Sequence, residues 1–283
     1  MRTLITGTAG LWLEALARVA PPYAAKQGFQ LFCRPWRPPL TTKQRAFLTS
    51  ATAQDLLHEG YRVKTYRWGH GPRKILLLHG WQSHTYRWKA YIDAFPEDEY
   101  TLISLDAPGH GLSSGSFLSV PLYSSLVSRL VAENGPFLGV VGHSLGGFSL
   151  LYTVYREPDL PFDRMVLLAP PGEASDFIDV FRQTLRLSNH TINLVLDYFA
   201  RRYSVTPDYF STQRFAEKIG VPGLLIHDEG DREAPYPYSL RLHRHWKASQ
   251  LITTKGLGHN LRSPEVVNHV VSYLRDPVTE RVR

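Results

Sequence analysis

Gly142-His143-Ser144-Leu145-Gly146, followed at once by Gly147, is the stretch on which the reading of this chain turns. The run Phe137 to Val141 before it is apolar and β-branched, as in a strand buried on both faces, and a helical run follows through Tyr155. A serine set between glycines at a strand-to-helix bend is a G-x-S-x-G arrangement. The bend strains the serine backbone, and only glycines at its flanks leave room for strand and helix to approach so closely. The bare pattern arises by chance; the strand before it and the helix after it give it force.

Working outward, Ile75 to Leu78, Leu102 to Leu105, Met165 to Leu168, Leu224 to Ile226 and Leu251 to Thr253 repeat the same near-continuous apolar character. Strands covered by helices on both faces of a parallel sheet read this way, whereas Val63 to Trp68 alternates and suits an antiparallel edge. Helix signals lie between them. Ser119 caps, Pro121 sits in the first turn, Leu122, Leu126 and Leu130 share a face, and Gly135 lies past the end. Ser263, Pro264 and then Val266, Val267, Val270 and Leu274 repeat that grammar near the C-terminus. Alternating strands and helices imply right-handed crossovers onto one sheet, an α/β fold.

Two segments depart from this rhythm. Residues 1–50 read as a basic helical arm, broken at Pro21 and Pro22. Residues 171–215 show helical spacing (Phe177, Phe181, Leu185; Val195, Phe199) where the next strand is due. A helical cap or lid inserted after the sixth strand accounts for the second segment, with 51–170 and 216–283 as the core. Thr6-Gly7-Thr8-Ala9-Gly10 has a faint likeness to a dinucleotide-binding turn, but Leu13 stands at the third glycine position and no acid follows about 20 residues on.

A serine hydroxyl is a poor nucleophile without a base and an orienting acid. Gly258-His259-Asn260 follows the strand Leu251 to Thr253, where a loop at the sheet's carboxyl edge can aim an imidazole at Ser144. The string His227 to Pro235 follows Leu224 to Ile226 and offers Asp228, Glu229, Asp231 and Glu233. Among the other histidines, His110 between two glycines reads as part of a hydrogen-bonded turn. His143 points away from its neighbour, and His243 and His245 read as a solvated helix face.

Five ordered motifs, His79-Gly80-Trp81, Asp106-Ala107-Pro108-Gly109-His110-Gly111, the serine bend, Asp228 to Pro235 and Gly256 to His259, resemble the α/β-hydrolase superfamily, in particular its small esterase and lipase-like members. The resemblance runs from about Val63 to Leu274. It implies an α/β-hydrolase fold, a mostly parallel central sheet flanked by helices. It also implies the chain order serine, acid, histidine, which assigns Ser144 as nucleophile, Asp231 as the acid and His259 as the base, and leaves Asp228 as a turn-forming residue. The oxyanion hole falls to the backbone N–H groups of Leu145 and, by the family pattern, Trp81. Where relatives often carry valine, this chain has Ala234. Ester, thioester and amide cleavage fit such machinery, as does acyl transfer. A catalytically silent module tethered to a membrane or partner is the alternative from another class. Epoxide-hydrolase and dehalogenase chemistry is disfavoured, since those relatives carry aspartate at the position of Ser144.

The formal charge of +7 is unevenly placed: residues 1–50 hold seven Lys and Arg against Glu14 alone, which accounts for +6 and leaves +1 for the rest. That argues for a surface contact of the arm, such as an anionic membrane surface, and against nucleic acid as partner. The aromatics Phe177, Phe181, Tyr198, Phe199, Tyr203, Tyr209 and Phe210 favour a hydrophobic small-molecule acyl substrate. No cofactor and no metal is expected. Cys33 is the only cysteine and forms no intrachain disulfide. Glu14 and Arg18 interrupt the apolar run of the first twenty residues, so the expected location is cytoplasmic, peripheral to the membrane. The oligomeric state is left open.

Overall fold

The computed structural model describes residues 2–275. Eight strands form one sheet: β1 (Thr52–His58), β2 (Tyr61–Trp68), β3 (Arg73–Leu78), β4 (Tyr100–Asp106), β5 (Gly139–His143), β6 (Met165–Leu168), β7 (Gly223–Asp228) and β8 (Ser249–Thr254), in the order β1-β2-β4-β3-β5-β6-β7-β8. β1 and β2 pair antiparallel, β2 runs antiparallel to β4, and the remaining pairs are parallel. The expected antiparallel edge at Val63 to Trp68 is therefore one strand inside the edge. β1 is the true edge, and its side chains are largely exposed, Leu57 among them, so it lacks the near-continuous apolar run of the buried strands. β8 forms the other edge and is only half-buried, so its short apolar run suggests more cover than it receives.

The chain passes from β3 to β4 on one side, then crosses to β5 on the other side of β3. Loops leaving β3 and β5 thus diverge at the sheet's carboxyl edge and open a crevice there. The helices are α1 (Arg2–Val19), α2 (Pro21–Phe32), α3 (Thr42–Leu48), α4 (Lys89–Ile92), α5 (Val120–Asn134), α6 (Leu145–Arg156), α7 (Ala174–Leu185), α8 (Asn189–Tyr203), α9 (Thr212–Ala216), α10 (Pro237–His245) and α11 (Pro264–Arg275). Ser119 caps α5, accepting the Leu122 N–H, and Gly135 ends it. Thr6 to Gly10 lie inside α1, which removes the strand–turn–helix context a dinucleotide turn requires.

By Cα packing the described residues form two compact units: residues 2–34 with 173–214, and residues 35–172 with 215–275. In the second, Ile75 and Leu77 of β3, Val141 of β5, Val166 of β6 and Ile226 of β7 pack with Val266, Val270 and Leu274 of α11. The alternate residues Leu76, Val140, Leu167 and Leu225 are equally buried and point to the opposite face. In the first, Leu13 and Ala17 of α1 and Ala24 of α2 share a cluster with Leu185, Leu187 and Ile192 of the segment between β6 and β7.

Candidate functional site

Ser144 joins β5 to α6 with φ 50° and ψ −124°, a backbone conformation that costs a non-glycine residue about 1–3 kcal/mol and persists only where its surroundings impose it. The glycines around it explain how. A Cβ on Gly146 would lie 2.4 Å from the Leu78 carbonyl oxygen, and one on Gly142 2.6 Å from the Gly147 Cα, so any larger residue would push β3, β5 and α6 apart. Gly80 is equally constrained, since a Cβ there would meet the Ser144 Cβ at 2.8 Å. The loop after β3 thereby lies directly against the serine.

His259 follows β8 and completes a line of contacts. Its Nε2 lies 2.9 Å from Ser144 Oγ, and its Nδ1 lies 2.8 Å from Asp231 Oδ2. Asp231 Oδ1 accepts the N–H groups of Glu233 (2.8 Å) and Ala234 (3.0 Å). Burial alone would push the Asp231 carboxyl up. Hydrogen bonds from His227, His259 and the Ala234 N–H, with the nearby charge of His259, outweigh that and hold it well below the usual carboxylate range. A deprotonated carboxylate on Nδ1 fixes the tautomer in which Nε2 can accept a proton from Ser144.

The other acids of that string serve elsewhere. Asp228 Oδ1 accepts the Gly230 N–H, while its Oδ2 accepts Thr254 Oγ1–H and the Leu257 N–H, which ties the end of β7 to the loop carrying His259. That loop has two further anchors: His143 Nε2 donates to the His259 carbonyl (2.9 Å) and Arg87 Nη2 to the Asn260 carbonyl (2.9 Å). Sequence reading sets His143 aside and does not single out Arg87. No spacing signals either role, because both donate to backbone carbonyls far along the chain.

His227, fully buried, is likewise missed by the sequence. Its Nε2 lies 3.1 Å from Asp231 Oδ2 and 2.8 Å from the Ala234 carbonyl, two acceptors, so that nitrogen carries the proton, and Nδ1 meets Ser239 Oγ at 2.6 Å. Two imidazoles therefore donate to one carboxylate oxygen. The only trace in the sequence is a histidine four residues before the aspartate at a strand end.

Leu145 opens α6, so its N–H belongs to a first turn whose donors have no carbonyl within the helix. Trp81 sits in the loop against Ser144, its ring edge-on to His110 at 5.5 Å between centroids. Two histidines brace this loop. His79 Nε2 accepts the Ala107 N–H at 3.0 Å while Nδ1 donates to the Gly80 carbonyl, and His110 Nε2 accepts the Gln82 N–H at 3.1 Å while Nδ1 donates to the Pro108 carbonyl. The motifs around residues 79–82 and 106–111 are thus bolted together through neutral imidazoles. Asp106 adds buried carboxylate bonds from Tyr66 Oη–H, Thr85 N–H and Leu112 N–H, each at 2.8 Å.

Burial lowers both bracing rings, His79 to about 4 and His110 to about 3. Protonating Nε2 of either would turn an N–H donor against another N–H. The native state accordingly binds fewer protons than the unfolded chain, whose histidines titrate near the ordinary 6.5. Stability is therefore expected to fall as pH drops from about 6.5 to about 5, with a slope that steepens toward about 1.4 kcal/mol per pH unit for each ring, before most carboxylates titrate. Urea denaturation across that window measures the slope; a flat profile would contradict the neutral braces.

His243 Nδ1 meets Ser249 Oγ, and His245 Nδ1 bonds the Arg241 carbonyl within α10. Among the described residues no helix is long and apolar enough to cross a membrane.

Comparison with known proteins places this geometry in context. The model of the alpha/beta hydrolase family matches residues 75–270. A serine hydrolase-like protein of Danio rerio is 34% identical over 128 residues, 41% of this chain and 38% of that protein, so the chain spans well under half of that relative. A soluble epoxide hydrolase of a Corynebacterium species is 28% identical over 200 residues, 62% of this chain and 68% of its own length. Among solved structures, Est1E from Butyrivibrio proteoclasticus with bound ferulic acid superposes with a TM-score of 0.62 at 20% identity, covering 79% of this chain and 96% of that one. At that identity the likeness is one of fold.

Proposed function

The chain belongs to the α/β-hydrolase family, and from that premise we propose that it is a serine hydrolase cleaving an ester-like acyl bond through Ser144, His259 and Asp231. The observation that carries the reading is the continuous line from Asp231 through His259 to Ser144, with contacts of 2.8 and 2.9 Å. In the proposed reaction His259 Nε2 takes the Ser144 proton as Oγ attacks the acyl carbonyl, and the N–H groups of Leu145 and Trp81 receive the charge that develops on the carbonyl oxygen. The tetrahedral intermediate collapses, and the leaving alcohol departs with the proton from His259. Water, deprotonated by the same imidazole, then releases the acid from the acyl-enzyme.

The nature of the nucleophile favours an acyl substrate over the epoxide named for one relative. Attack by a hydroxyl on a carbonyl puts charge on an oxygen that backbone donors at Trp81 and Leu145 can stabilise, whereas opening an epoxide calls for acid assistance at the ring oxygen. The Trp81 ring beside the serine loop supports a hydrophobic acyl or aryl group. Acyl transfer to an alcohol or thiol acceptor, and thioester cleavage, use the same steps with a different second or first partner.

A panel of p-nitrophenyl esters of graded acyl length, with stoichiometric labelling by a fluorophosphonate probe, tests the reading. Turnover that depends on chain length together with labelling of one serine per chain is the expected result. A folded protein that neither turns over any ester nor takes the label would overturn it.

A further inference from the structure

Helix α1 is apolar on two sides. Leu13 and Ala17 are buried, and Gly10 approaches Leu185 so closely that a Cβ would lie 2.0 Å from its carbonyl oxygen. At 100° per residue the opposite face collects Leu11, Trp12, Ala15 and Val19 beside Thr8 and Arg18, within an arc of about 120°. All six are exposed: Leu11 by 74%, Val19 by 80% and Trp12 by 48%. Tyr23, at the start of α2, is exposed as well. A helix that already packs one stripe gains nothing from a second stripe held in water, and such a stripe marks a surface that something covers.

Charge indicates what covers it. Glu14 is the only acid in residues 1–34, and its carboxylate is turned to the start of α8, accepting the Ser188 N–H (2.7 Å) and Oγ–H (2.9 Å). Arg18, Lys26 and Arg34 remain exposed. The segment therefore offers aliphatic side chains, an amphipathic indole and cations, with its one carboxylate committed elsewhere. A second copy of this chain seated on the same patch would set these cations against their own kind, because a two-fold contact pairs a surface with itself. Anionic headgroups meet them with opposite charge.

We propose that this face of α1 lies on an anionic lipid bilayer, with Leu11, Trp12 and Val19 entering the boundary between headgroups and acyl chains and Arg18 and Lys26 meeting lipid phosphates. Side chains of this kind sink about 5–10 Å into such a surface, and an indole favours the headgroup level. The binding combines apolar burial with electrostatic attraction, so it weakens as salt rises.

Cosedimentation of the full chain with vesicles tests this, using phosphatidylcholine alone and phosphatidylcholine mixed with phosphatidylglycerol. Sedimentation with the mixed vesicles is expected. It should be weakened at least about tenfold by Leu11→Ser combined with Val19→Ser, and separately by Arg18→Glu combined with Lys26→Glu. All four positions are exposed, and an unchanged circular dichroism spectrum and unchanged turnover of a soluble ester show that the variants fold. Ser144→Ala protein should bind vesicles as well as the wild type, which separates this result from the hydrolase reading. Failure of the wild type to sediment with anionic vesicles, or sedimentation of either double variant equal to that of the wild type, overturns the proposal. A dimer lost in Leu11→Ser/Val19→Ser without any vesicle binding assigns the face to a second copy and overturns it equally.

Discussion

Replacing Ser144 with alanine is expected to lower ester turnover by on the order of 10⁵- to 10⁶-fold and to abolish fluorophosphonate labelling, with the fold intact. The size of the effect follows from the loss of the attacking oxygen, after which the imidazole line and backbone donors retain only the modest acceleration that binding and charge stabilisation give to water. A companion measurement uses the backbone. At φ 50° and ψ −124° alanine bears the same strain as serine, whereas glycine adopts that conformation freely. Ser144→Gly should therefore be more stable than Ser144→Ala by about 1 kcal/mol while equally inactive, read by urea denaturation. Equal stability would mean that the bend stores no strain. Retained turnover in either variant would remove Ser144 from the mechanism.

The second large effect is expected at Asp231. Its carboxylate accepts four donors: the His227 and His259 ring N–H groups on Oδ2, and the Glu233 and Ala234 N–H groups on Oδ1. The substitution Asp231→Asn leaves one acceptor oxygen and puts an NH₂ group in place of the other. With the oxygen toward the two backbone donors, the NH₂ faces two imidazole N–H groups, and His259 escapes by shifting its proton to Nε2. That tautomer presents N–H to Ser144 and accepts nothing. Asp231→Asn should therefore reduce kcat/KM by about 10⁴-fold at neutral pH. It should also lose about 2 kcal/mol of stability, the cost of leaving a buried donor unmatched. The sign of the pH dependence supplies a check. A carboxyl held low in the folded state stabilises it above the ordinary carboxylate range and loses that contribution as the pH falls through that range. The stability gap between wild type and Asp231→Asn should narrow on acidification. A gap independent of pH, or a variant with near-wild-type kcat/KM, would show that Asp231 is not the partner on which His259 depends.

The parts of this architecture written locally are legible from residues alone. Met165 to Leu168 is a strand with the bounds its apolar run suggests, Ser119 and Gly135 bracket α5, and the glycines at 142, 146 and 147 signal a close approach that the structure shows in detail. Of the residues named from motif order, His259 lies within hydrogen-bond reach of both Ser144 and Asp231. What stays hidden is non-local or polar. β1 carries too few buried side chains to stand out, and β2, alternating like an edge, gains its second neighbour only through a long-range pairing with β4. His143 and Arg87 act through distant carbonyls, and His227 through a carboxylate it shares with His259, contacts that leave no periodicity.

The companionship of Leu13, Ala17 and Ala24 with Leu185, Leu187 and Ile192 carries a practical consequence for anyone reshaping this protein. Trimming away the first 34 residues to obtain a shorter chain would strip the partner surface from a segment lying well over a hundred positions downstream, and Glu14 would no longer hold Ser188 at the start of α8. The N-terminal helices and residues 173–214 behave as two halves of one clasp: a chimera should inherit both or neither, and a homologue that lacks one is expected to lack, or to have rebuilt, the other.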